Sequence, residues 1–141
     1  MYKKVLVTSN GEYLSQIVEH SLEIISRRGI EVIGLYVVDN SFSPLISKKV
    51  KQMILDELKI KGKETLDLME KEFRFSASKI KFSPMLIEGN PASEIIKTAH
   101  NEDVDIIVIG TGKNKIDKYL LGSVSEKVVH ASPCSILLVR V

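Results

Sequence analysis

A chain of 141 residues, 44% hydrophobic and 27% charged, has the size and composition of one soluble domain with one core. The net charge of +2 is too mild for a nucleic-acid binder, and the lysines are spread along the chain rather than gathered with aromatic residues, so an anionic partner is expected to be small. No apolar run approaches the roughly 20 residues that span a bilayer, and Met1-Tyr2-Lys3-Lys4 leads into too short an apolar stretch for a secretory signal; with Cys134 as the single cysteine, the expectation is a cytoplasmic protein without membrane contact.

Taken in chain order, Lys3 to Ser9 is a short β-branched run that predicts a strand. Beyond Gly11, Leu14, Ile17, Val18, Ser21, Leu22 and Ile25 recur at helical spacing, and Arg27, Arg28 and Gly29 supply the positive last turn and glycine that close a helix. Glu31 to Val38 is apolar almost throughout, as a strand covered on both faces should be. After a turn from Asp39 to Pro44, Val50, Met53, Ile54, Leu58, Leu66, Met69 and Phe73 mark a long crossover helix from Leu45 to about Phe75, with a kink expected at Gly62.

Lys79 to Glu88 is the third strand, and its internal Pro84 places it at a sheet edge or beside a bulge. Asn90-Pro91 starts a helix, asparagine as cap and proline in the first turn, with Ile95, Ile96 and Ala99 facing inward. Asp105 to Ile109 is a fourth strand, Leu121 to Ala131 a helix, and Ser135 to Val141 a last strand. Five strands alternating with four helices predict an α/β fold with a doubly wound parallel sheet, helices on both faces and right-handed crossovers. Such a sheet reverses its winding once, and ligands bind outside the carboxyl ends of the strands at that point. If the first three strands wind one way and the last two the other, the crevice lies between Thr8-Ser9-Asn10-Gly11 and Gly110-Thr111-Gly112.

The second of these loops has the form of a phosphate cradle. Gly110 and Gly112 let backbone N–H groups approach a ligand, and the helix start near Gly122 adds unpaired donors and a favourable dipole. Neither G-x-x-x-x-G-K-[ST] nor G-x-G-x-x-G is present, since Lys115 stands at the third-glycine position of the latter.

Gly110-Thr111-Gly112, nine residues, then Gly122-Ser123-Val124-Ser125 resembles the G-x2-G-x9-G-[ST] signature of the nucleotide-binding universal stress proteins. The similarity extends through VLVTSNGEY, LEIISRRGIEVIGLYVVD, EGNPASEIIKTAHNEDVDIIVIGT and LLGSVSEKVVHASPCSILLVRV, nearly the whole chain. The resemblance implies strand order 3-2-1-4-5, ATP or AMP in the crevice with Mg or Mn on its phosphates, and a homodimer through the last strand, Ser135 to Val141. Carried over by position, Gly110 and Gly112 line the phosphates, and Gly122, Ser123, Val124 and Ser125 hold them. Ser9 and Asn10 sit at the nucleotide, Asn10 on the adenine, and Val38 borders the base. Two departures stand out: one residue rather than two separates the first glycines, and Asn10 replaces the family's acidic residue.

Other readings compete at single residues. Ser123 with Glu126 forms a capping box that needs no ligand, Gly110 and Gly112 are turn formers, and Lys113, Lys115 and Lys118 are ordinary loop charges. His20, His100 and His130 are far apart with no metal-ligand spacing, and Cys134 has no activating base near it in sequence. Among rival functions, an FMN carrier of flavodoxin type is opposed by Glu12 beside its phosphate loop, and a phosphorylated receiver lacks its acidic pair at Ser9 and Asn10. ATP hydrolysis has only Asp117 and Glu126 as nearby carboxylates, which leaves a dimeric interaction module without nucleotide as the alternative. The apolar last strand argues independently for pairing, because an uncovered sticky edge invites aggregation.

Overall fold

The computed structural model describes residues 2–25, 29–76, 79–112 and 120–141. Its elements are β1 (Lys4–Thr8), α1 (Leu14–Ile24), β2 (Glu31–Asp39), α2 (Lys48–Ser76), β3 (Lys81–Gly89), α3 (Pro91–Asn101), β4 (Ile106–Gly110), α4 (Ser123–Ala131) and β5 (Ser135–Val139). The five strands form one parallel sheet in the order β3-β2-β1-β4-β5, as the strand and helix alternation predicts. Arg27 and Arg28, the expected closing charges of α1, lie outside the described residues, as do Lys113, Lys115, Asp117 and Lys118.

Hydrophobic patterning sorts the helices onto the two faces. Ile17 and Val18 of α1 and Met69 and Phe73 of α2 pack with Val5, Val7, Val32 and Val108 on one side. On the other, Ala92, Ile95 and Ala99 of α3 and Val128 of α4 meet Leu6, Ile33, Leu35 and Ile107. The central strands are buried from both sides, which is why they read as unbroken apolar runs.

Pro84 falls on an edge strand, where a missing N–H leaves no ladder bond unmade. Asn90 caps α3 as expected: its side chain accepts from the Ser93 N–H at 3.1 Å, with Pro91 as the first helical residue. Gly62 departs from expectation. Helix α2 runs unbroken through it for 29 residues, and a Cβ there would lie 2.6 Å from both Leu86 and Tyr36 side-chain carbons. The glycine lets the helix approach the sheet rather than bend.

The amino end of β1 is fastened to the loop before β4. Asp105 Oδ2 accepts the Lys3 and Lys4 N–H groups at 2.8 and 2.9 Å, and these bonds hold its carboxyl below the ordinary carboxylate range. A depressed folded-state pKa contributes stability above the unfolded value and loses it as pH falls through the folded one. Asp105→Asn should therefore lower the urea midpoint at neutral pH and flatten its decline below about pH 4. Equal acid dependence in variant and parent would exclude the carboxylate as its source.

Candidate functional site

The winding reverses between β1 and β4, and a cleft of about 460 Å³ opens over their carboxyl ends. Ser9, Asn10, Gly110, Gly112, Gly122, Ser123, Val124 and Ser125 all line it. Val38 does not: its side chain is buried with Tyr36 and Leu66, and Tyr36, Val37 and Asp39 are the β2 residues that border the cleft.

The lip after β1 is shaped by its own side chains. Ser9 Oγ accepts the Gly11 N–H at 3.0 Å and donates to the Glu12 carbonyl at 3.3 Å. Asn10 Oδ1 accepts the Glu12 N–H at 3.0 Å. A backbone N–H only donates, so the oxygen of Asn10 is the atom turned to the loop and the amide NH2 is the end left for a ligand. Tyr13, which also lines the cleft, holds a left-handed φ of 56° as the cap of α1. Such a conformation costs a non-glycine residue of order 1 kcal/mol and concentrates at functional sites.

The opposite lip is organised by Thr111, the residue between the two glycines of the predicted crevice. Its N–H donates to the Val139 carbonyl at 2.9 Å, and its own carbonyl receives the Gly122 N–H at 2.8 Å and the Ser125 hydroxyl at 2.7 Å. Thr111 Oγ1 further accepts the Val141 N–H at 3.4 Å. The shortened loop is thereby tied to β5 and to the start of α4, with Gly112 at φ 73° making the turn.

Gly122, not Ser123, is the N-cap of α4, and no side chain among the described residues caps the helix. The capping-box reading of Ser123 is thus corrected: with the cap one residue earlier, Glu126 falls at the fourth helical position, where its own N–H already donates to the Gly122 carbonyl at 3.0 Å. The Ser125 hydroxyl is spent on Thr111 and Gly122 carbonyls and is buried. What remains for a ligand is the Ser123 hydroxyl and the first-turn N–H groups of Ser123, Val124 and Ser125, which have no intrahelical acceptor. An anion fits this donor set, since the helix dipole also favours negative charge there.

The rest of the lining is what linear reasoning missed. Leu58 and Lys61 reach the cleft from α2, Pro91 and Ile95 from α3, and Tyr36 from β2. Burial pushes the Tyr36 hydroxyl above its ordinary value, keeping it a neutral donor. Apolar Leu58, Val37, Ile95 and Ile109 give the cleft a surface for a flat ring beside the polar loops. Cys134 is half-buried against the α3 and α4 layer, where burial pushes its thiol up and away from a reactive thiolate. Among the described residues no three His, Cys, Asp or Glu side chains stand together to hold a metal, and no helix is long and apolar enough to cross a membrane.

Comparison with known proteins agrees with this architecture. A universal stress protein of Methanothermobacter thermautotrophicus is 51% identical over 141 residues, 99% of this chain and 97% of that one. The solved structure of MJ0577, a universal stress protein of Methanocaldococcus jannaschii, superposes with a TM-score of 0.85 at 29% identity, covering 100% of this chain and 97% of the other. An Arabidopsis thaliana family member solved with AMP bound shares the fold at a TM-score of 0.69 and 18% identity, over 98% of this chain and 91% of its own. The model of the Universal stress protein family matches residues 1–140. With that match, the 3-2-1-4-5 sheet and the glycine loop at its reversal, the chain belongs to the universal stress protein family.

Proposed function

We propose that this chain binds an adenine nucleotide, ATP or AMP, in the cleft between β1 and β4 and acts in the cytoplasm as a regulatory homodimer. The observation that carries the reading is the N-terminus of α4: uncapped by any described side chain, it turns its first-turn N–H groups to a cleft also lined by Val37, Leu58, Ile95 and Ile109. Phosphates take these donors together with Ser123, Mg or Mn accompanies the phosphates, and the ring lies against Val37, Leu58 and Ile95. The AMP carried by the Arabidopsis relative supports the choice of base. Binding, with hydrolysis slow or absent, is the proposed activity.

Dimerisation through the last strand is part of the same proposal. Strand β5 lies at a sheet edge with Ile136, Leu137 and Leu138 half-buried in the single chain, and a second copy would cover that edge. Because Thr111 and Val141 join β5 to the phosphate lip, the interface and the site share a support.

The test is a thermal melt of the free protein against saturating ATP-Mg, AMP and FMN. A ligand at about a hundred times its dissociation constant adds roughly 2.7 kcal/mol, a rise of several degrees in Tm. ATP or AMP should raise the midpoint and FMN should not. No shift with any of the three would favour the interaction module without nucleotide.

A further inference from the structure

Lys61 is the one positively charged side chain among the described residues that line the cleft, and it belongs to neither loop of the glycine motif. It projects from α2 across Gly11: a Cβ at that position would stand 3.1 Å from Lys61 Cε and 3.7 Å from its Nζ. Gly11 holds φ 97°, a conformation that favours glycine, so the bare backbone both makes the turn and leaves the lysine its track into the cleft. The nearby Lys59 is already paired, with Glu88 at 3.6 Å. No carboxylate among the described residues lies within ion-pair distance of Lys61.

The polarity of the adjoining loop points the same way. With its oxygen committed to Glu12, Asn10 offers only N–H donors outward, where an acidic residue would have offered an acceptor. The β1 lip therefore carries an ammonium and an amide donor, and the facing lip carries the uncapped N–H groups of α4. Glu12 and Asp39 are the carboxylates on the lining; Glu12 follows the loop that Lys61 crosses, and Asp39 accepts the Ser41 N–H at 2.9 Å. Lys61 offsets the Glu12 carboxylate that opposes an anion held by the β1 loop alone, so an anionic group between the two lips would meet donors from both sides.

We infer that Lys61 is a phosphate-contacting residue of the nucleotide site, closing on the anion from the side opposite the α4 N-terminus. The inference rests on the adenine-nucleotide reading and assigns to α2 a binding role that the glycine motif does not contain. A lysine serves here as a mobile point charge with three donors, able to follow the phosphate without fixed geometry. Its hydrogen bonds to phosphate are charge-assisted, the stronger class.

Calorimetric titration with AMP and with adenosine, on the parent chain, Lys61→Met and Lys61→Arg, tests the assignment. Lys61→Met should weaken AMP by about tenfold or more while adenosine changes by less than about twofold, and Lys61→Arg should recover most of the AMP affinity. Lys61 is exposed, so both variants should melt as the parent does. Unchanged AMP affinity in Lys61→Met, or equal losses for AMP and adenosine, would overturn the phosphate contact while leaving the nucleotide site standing. A parent chain that binds neither ligand would instead remove the adenine-nucleotide reading, and this assignment with it.

Discussion

Valine at position 112 should cut AMP and ATP affinity by at least about a hundredfold, the effect of losing two or more charge-assisted donors, while the protein remains folded. A Cβ on Gly112 would point at the start of α4, 3.5 Å from Gly122 Cα and 3.8 Å from Gly122 N. The two methyl groups of valine extend beyond that Cβ into the space before the first-turn N–H groups. The φ of 73° adds backbone strain of roughly 1–2 kcal/mol for a β-branched residue, which displaces the loop further. Gly110→Ala is the milder comparison on the same lip: its Cβ would make ordinary contacts at 3.5 Å to Ile17 and 3.7 Å to Val141, and Gly110 has no left-handed backbone. Titration should show a much larger loss for Gly112→Val than for Gly110→Ala; parent-like affinity in Gly112→Val would remove Gly112 from the phosphate site.

The largest expected loss of stability comes from Phe73→Ala, about 3–5 kcal/mol in chemical denaturation. Phe73 is fully buried on α2, its ring 6.0 Å from that of Phe82 and tilted by 31°. It packs with Met69, Val5, Val32 and Ile80, residues from a helix, two strands and a connecting loop, so no single neighbour can move to fill the space it leaves. A loss of this size is a large share of the roughly 5–15 kcal/mol that holds a domain of this kind together. A measured change below about 1 kcal/mol would mean that α2 settles against the sheet without this ring.

The sheet was legible because its signals are local. Pro84 announces an edge strand by the donor it lacks, and Asn90-Pro91 announces a helix start by cap chemistry, both within a few residues. The two lips of the cleft followed from counting strands and asking where the winding must reverse. Local signals failed where a tertiary neighbour decides. Gly62 has no feature in the linear chain that separates a kink from a close approach; Tyr36 and Leu86, far away in sequence, decide it. Val38 and Val37 are indistinguishable in a strand apolar on both faces, so nothing in the letters says which of them borders the cleft. Lys61 and Leu58 stayed invisible for a similar reason: the length of α2 was readable, but the part of it that passes the cleft was not.

That length has a mechanical side. At 29 residues α2 is about 43 Å long, whereas the nine residues of β2 span about 30 Å, and its buried residues begin only at Gly62. Upstream, Val50 and Met53 are exposed, while Leu55 and Leu58 rest against the end of β2. The helix is unbroken between these regions, so Lys61 is held between two contacts, Leu58 against the end of β2 and Gly62 against Tyr36 and Leu86. Part of the cleft wall is therefore set by how a helix packs on the outer strands of the sheet, not by the loops that carry the glycines.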